Sequence, residues 1–140
     1  MIIVDTSGLL SAIDRSQTHH HAAATVLRRA KAPRLLSPFV LAELDYLVST
    51  RVSRPAERAL LGQVADGVYR LESFSAADVA RANEIMDEYA DLDLGLADAS
   101  LIVLAERHDL VDLLTLDQRH FRTVRGPGGK AFRILPADLP

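Results

Sequence analysis

Two short aliphatic runs, far apart in the chain, each end on an aspartate. Ile2-Ile3-Val4 leads into Asp5, and Leu113-Leu114-Thr115-Leu116 leads into Asp117. Runs this short and this apolar fit strands buried on both faces, the condition of a parallel sheet. Helical patterns fill the sequence between them. Thr6 or Ser7 can cap a helix whose apolar side is Leu9, Leu10 and Ile13. A second helix is expected over about 18–30, and Leu35-Leu36 reads as a second strand. Ser37-Pro38 places a hydroxyl cap before a proline at the first helical position, so a helix runs from there to about Arg51. Pro55 opens another that ends near Asp66-Gly67, ahead of a strand at 68–71. Ser75 and Asp78 form a capping-box pattern for a helix through about Ala90. A further helix spans about 96–108, and a last strand at 131–134 follows the loop Gly126-Pro127-Gly128-Gly129. Strands alternating with helices predict an α/β fold, a central parallel sheet with helices on both faces. The 140 residues suit one domain, 1–140.

In such a sheet ligands bind beyond the carboxyl ends of the strands, which is where Asp5 and Asp117 fall. Two more acids stand in awkward places. Glu43 lies within roughly 60° of both Val40 and Leu47 on its helix, hence on the apolar face, whereas Asp45 points to solvent. Asp98 shares a face with Leu101, Ile102 and Ala105, and it lies in a first helical turn that favours negative charge. No lysine or arginine is evident as a buried partner for the four. Carboxylates gathered without cations repel and take up protons. An all-oxygen donor set suits Mg²⁺ or Mn²⁺. The chain has no cysteine, which excludes thiolate metal sites, disulfides and a cysteine nucleophile.

The formal net charge is −3, but it is unevenly spread. From Glu84 to Asp117 there are ten acids and one base, Arg107; from Gln118 to Ala137 there are five bases and no acid. An acidic centre with basic flanks can hold metal ions in the middle and phosphates around it. His19-His20-His21 cannot clasp a single ion, because consecutive helical side chains diverge by about 100°; the run reads as a solvated helix start. With four Phe, three Tyr and no Trp, the chain has no base-stacking platform. No apolar run approaches the roughly 18–20 residues of a membrane span. No targeting segment is evident, so a cytoplasmic location is expected.

The strand ending Asp5-Thr6-Ser7, the helix with Ala42-Glu43, the helix start Ala97-Asp98-Ala99 and the stretch Leu114-Thr115-Leu116-Asp117-Gln118-Arg119-His120-Phe121 together resemble the PIN-domain ribonucleases. The nearest group is the VapC toxins of bacterial toxin–antitoxin pairs, and the resemblance covers essentially the whole chain. It implies a three-layer α/β/α sandwich, an acidic pocket for one or two Mg²⁺ or Mn²⁺, and endonucleolytic hydrolysis of RNA by metal-activated water. Asp5, Glu43, Asp98 and Asp117 match the family's catalytic, metal-holding acids. Ser7 matches an assisting hydroxyl, with Thr6 and Asp93 as further accessory candidates. Arg119, Arg122 and Arg15 become candidates for contact with RNA phosphates, while His120 reads as structural and Phe121 as core. A structured RNA is the implied substrate, either tRNA or a ribosomal RNA loop. A homodimer and a small VapB-like antitoxin are the implied partners.

Other classes fit less well. A phosphatase of the two-aspartate type needs a second Asp at position 7, where Ser stands. A receiver-like module needs a lysine after a late strand, and the only lysines are Lys31 and Lys130. The remaining alternatives are a PIN nuclease of RNA processing that is not a toxin and a non-cutting binding module. The latter would be expected to have lost some of the acids, and all four are present.

Overall fold

The aliphatic triplet forms the central strand, β1 (Ile2–Val4), in a computed structural model that describes all residues from Met1 to Pro140. The chain continues through α1 (Thr6–Ile13), α2 (His20–Arg29), β2 (Arg34–Leu36), α3 (Pro38–Arg51), α4 (Arg54–Ala65), β3 (Arg70–Leu71), α5 (Ala76–Glu88), α6 (Leu96–His108), β4 (Asp112–Leu114), α7 (Gln118–Thr123) and β5 (Arg133–Leu135). All five strands are parallel, in the order β3-β2-β1-β4-β5. The chain first works outward from β1 to β3. It then returns through α5 and α6 to lay β4 on the other side of β1. That reversal makes the β1–β4 seam the switch point of the sheet, where a crevice opens beyond the strand ends. Ile3, Val4, Leu35, Leu36, Leu113 and Leu114 are fully buried within one cluster of 30 core residues, which is why these strands do not alternate with polar residues.

Several boundaries differ from the sequence reading. β4 ends at Leu114 rather than at residue 116, because Thr115 and Leu116 already turn toward α7. β5 starts two residues later than expected. The helix α7 was not anticipated. It has six residues and one buried apolar side chain, Phe121, packed edge-to-face on Phe132 at 5.9 Å, too little for a periodic signal. The cap of α1 is Asp5 itself, whose Oδ1 accepts the Thr6 N–H at 2.7 Å, rather than Thr6 or Ser7. His20, half-buried, places Nδ1 2.8 Å from the Ser11 carbonyl and braces α2 on α1, so one member of the histidine run is a strut.

On α3 the buried stripe is Val40-Leu44-Val48. One residue round the helix, Glu43-Leu47-Arg51 follows the same i, i+4, i+8 line along an open cleft. Glu43 is therefore exposed, not core-facing. The angular expectation took Leu47 as fully inward, and Leu47 is itself only half-buried. Asp45 turns the other way, toward α4, rather than to solvent. Its Oδ1 is buried without a hydrogen-bond partner, and it lies against Glu57, which is 7% exposed. The neighbouring Asp45 carboxyl, together with burial, holds the Glu57 carboxyl above the usual carboxylate range.

Two close contacts fix the parts that carry the acids. A Cβ at Gly8 would stand 2.4 Å from the Leu114 carbonyl oxygen, so only glycine lets α1 settle on the end of β4. Ser37 caps α3 at the Phe39 N–H, and its Oγ lies 2.7 Å from that of Ser100 on α6, with both residues fully buried.

Gly8→Ala is expected to lower stability by about 1–3 kcal/mol, the usual cost of overpacking, seen as a reduced denaturation midpoint at unchanged slope. Asp45→Asn tests the carboxyl pair. Because the Glu57 pKa is raised on folding, the pair stabilises fully at low pH and loses that contribution as pH rises through the folded value. The variant should raise Tm at pH 7 and change it little at pH 4. An equal shift at both pH values would argue against a raised Glu57 carboxyl.

Candidate active site

Strand register builds the floor of the cleft. Ile3 pairs with Leu113 and Val4 with Leu114, so the next residues, Asp5 and Thr115, come out side by side at the carboxyl edge. Thr115 Oγ1 donates to Asp5 Oδ2 at 2.6 Å, and Ser7 Oγ donates to the same oxygen at 3.3 Å. Ser7 Oγ also accepts the Leu116 N–H at 2.9 Å, and Thr115 Oγ1 accepts the Asp117 N–H at 3.0 Å. Two hydroxyls thus clamp the Asp5 carboxylate to the turn that delivers Asp117.

The other acids arrive on helices. Glu43 comes from α3 and Asp98 from the first turn of α6, where Asp98 Oδ2 accepts the Gly95 N–H at 3.4 Å. Asp117 caps α7 by accepting the His120 N–H at 3.1 Å. That turn folds the His120 ring back over the cap, with Nδ1 2.8 Å from Asp117 Oδ2 and 3.8 Å from Asp98 Oδ2. His120 is therefore part of the site, beyond the structural role expected from sequence. Its signal was the Asp-x-x-His spacing at a helix start. Asp5, Glu43, Asp98 and Asp117 all line one cleft of about 320 Å³ together with Thr6, Ser7, Ser11, Gln17 and Arg51. Thr6 Oγ1 is buried there with no partner.

The remaining candidates stand elsewhere. Asp93 is exposed, adopts a left-handed φ of 55° after a short 3₁₀ turn, and does not line the cleft. Arg122 is held by the Asp138 carboxylate at 2.9 and 2.6 Å, so its guanidinium is already engaged. Arg119 and Arg15 are exposed and lie outside the cleft lining. Arg51, by contrast, was not singled out as a site residue, and it lines the cleft.

The electrostatics show what the gathering of acids costs. Burial pushes the Asp5 carboxyl up to about 6, with the Asp98 charge adding to the rise; the Thr115 hydroxyl, the Thr6 N–H and Ser7 oppose it. Asp98 is also raised, chiefly by burial and then by Asp117 and Glu43, against the pull of the Gly95 N–H and His120. Raised carboxylates in mutual repulsion are what a bound cation would relieve. Asp98, Asp117 and His120 each place a donor atom within 4.8 Å of the others. Around one Mg²⁺ opposite donors stand about 4.2 Å apart and adjacent ones about 3 Å, so the three would have to draw closer together to share an ion. The carboxylate oxygens suit Mg²⁺ or Mn²⁺, whereas an imidazole donor suits transition metals better than Mg²⁺.

Comparison with known proteins agrees with this geometry. A family model, the PIN domain, matches residues 2–127. Ribonuclease VapC26 of Mycobacterium tuberculosis is 41% identical over 135 residues, covering 96% of this chain and all of that protein. Among solved structures, M. tuberculosis VapC20, a sarcin–ricin-loop-cleaving toxin, superposes with a TM-score of 0.79 at 20% identity, over 85% of this chain and 92% of its own. VapBC2 of Rickettsia felis, solved with a DNA fragment from its promoter, gives 0.65 at 19% identity over 96% and 98%. At those identities the structures speak for the fold, and the sequence match speaks for descent. The chain belongs to the PIN-domain family and, within it, to the VapC group.

Proposed function

We propose that this protein is a divalent-metal-dependent endoribonuclease and the toxin of a toxin–antitoxin pair. In this reading residues 1–140 form one nuclease unit, which works in the cytoplasm as a homodimer and is silenced by a VapB-like antitoxin. The observation that carries it is the convergence of Asp5, Glu43, Asp98 and Asp117 on one cleft at the switch point of the sheet, with His120 packed against Asp117. The ribonuclease activity named for VapC26 supports the reaction, and the VapBC2 assembly supports the partner. The substrate is a structured RNA, tRNA or a ribosomal loop. The first to test is the sarcin–ricin loop, which VapC20 cleaves.

Asp98, Asp117 and His120 would hold the ion, with Asp5 and Glu43 completing the acid ring. A bound Mg²⁺ or Mn²⁺ supplies water activation at neutral pH and neutralises charge on the phosphoryl group. The chain's own part is positioning. Thr115, Ser7 and the Thr6 N–H fix both Asp5 oxygens, so that carboxylate needs no reorganisation during the reaction. His120 orients Asp117 and offers the only imidazole of the site.

Purified protein is expected to cut total cellular RNA at discrete positions with Mg²⁺ and to stop with EDTA. Asp5→Asn, Asp98→Asn and Asp117→Asn should each lower the rate at least about a hundredfold. Identical fragments from wild type and Asp5→Asn would overturn the nuclease reading.

The raised Asp5 pKa makes a second prediction, in metal-free protein. Between the ordinary value of 3.8 and about 6 the native state holds more protons than the unfolded one, so stability falls as pH rises through that window and stays lower above it. The full cost is about 3 kcal/mol. Asp5→Asn should therefore raise Tm at pH 7 by several degrees and barely change it at pH 4. Added Mg²⁺ should raise the Tm of wild type more than that of the variant.

A further inference from the structure

We infer that Arg51 is the positioning residue that seats the RNA backbone beside the acids. This rests on the ribonuclease reading above and names a contact of the same site. Glu43, Leu47 and Arg51 form one line along α3, and all three line the cleft. Eight residues of helix set Arg51 about 12 Å along the axis from Glu43, at the far end of the cleft wall. It is the single basic side chain among the twelve lining residues, four of which are acids. It is exposed and makes no ion pair or side-chain hydrogen bond, whereas Arg54, Arg70, Arg81, Arg107, Arg122 and Arg133 are each paired with a carboxylate.

An unengaged guanidinium at the mouth of an acid-lined cleft selects for an anionic occupant. The four carboxylates repel a phosphodiester chain, and a cation placed about 12 Å along the wall offsets that repulsion for the phosphates flanking the one being cut. The planar fork of arginine suits two phosphate oxygens at once. A protein inhibitor that neutralised the acids would bring cations, and Arg51 would repel them. The occupant that Arg51 favours is therefore RNA. Arg122, expected from sequence to make such a contact, is occupied by Asp138, and Arg119 lies outside the cleft lining, which leaves Arg51 as the cation of the cleft itself.

The test uses the full chain in the Asp5→Asn background, which leaves RNA intact, and a labelled RNA hairpin carrying the sarcin–ricin loop. Binding is measured across a series of salt concentrations. Arg51→Ala should weaken binding severalfold at low salt and reduce the slope of log K against log salt by about one. Arg51→Lys should restore most of the slope. Arg29→Ala removes the same charge at the opposite, amino-terminal end of the sheet and should leave the slope unchanged. With otherwise native acids, Arg51→Ala should raise KM far more than it lowers kcat. The assignment is overturned if Arg51→Ala keeps the parent slope, if Arg29→Ala lowers it equally, or if the substitution weakens only antitoxin binding. If the wild type cuts no RNA at all, the ribonuclease reading fails and this one with it. Cleavage by wild type with no effect of Arg51→Ala sinks the Arg51 role alone.

Discussion

The pairing of β1 with β4 is the interaction on which the site depends. It sets Asp5 beside Thr115, and the Leu114 carbonyl at its end both accepts the Asp5 N–H at 3.0 Å and meets the bare backbone of Gly8. A slip of one residue would turn every side chain of the strand to the other face, sending Asp5 into the core. Both strands are apolar on both faces, so the contacts at their ends, the Asp5 N–H on the Leu114 carbonyl and Gly8 against it, hold the register. The Asp5 carboxylate is thus placed by the buried centre of the sheet rather than by a loop.

What stands on that floor is electrostatically uncomfortable. Asp5 and Asp98 are both raised by burial and by neighbouring charge. The fold tolerates this because hydrogen bonds from Thr115, Ser7, the Thr6 N–H and the Gly95 N–H offset part of the cost. The molecule holds a second strained pair of acids, Asp45 and Glu57, well apart from the cleft in role. There the neighbouring carboxyl and burial raise Glu57, while Arg54 pairs with it at 3.2 Å. Two acids, Glu43 and Asp45, two residues apart on one helix, thus serve different ends because one faces a crevice and the other faces α4.

Sequence was informative where a residue's environment follows from local pattern. The strands around Ile3 and Leu113, the parallel sheet and the convergence of Asp5 and Asp117 followed from apolar runs and their endings. The caps at Ser37 and Ser75 followed from side-chain chemistry. It was weaker where a tertiary neighbour decides. Glu43 and Asp45 were assigned by angle against Leu47, but which face of α3 is inward depends on where α4 and the cleft lie. Arg122 carried no mark of its pairing with Asp138, sixteen residues on. His120 and Arg51 were visible as residues but not as neighbours of the acids, because the turn of α7 and the line of α3 bring them there.

The contact between Ser37 and Ser100 bears on how the cleft moves. Ser100 is two residues past Asp98, and Ser37 sits six residues before Glu43, roughly 9 Å down the axis of α3. The clasp joins the two helices near their amino ends, where each starts its run past the acids. Any parting of α3 from α6 is then a pivot about that clasp, small at Asp98 and growing along α3 through Glu43 to Arg51. Opening so hinged would widen the rim of the cleft and leave its inner end closed. Access to the cleft would then come from the Arg51 end of α3, while the sheet and the clasp keep Asp5 and Asp98 in place.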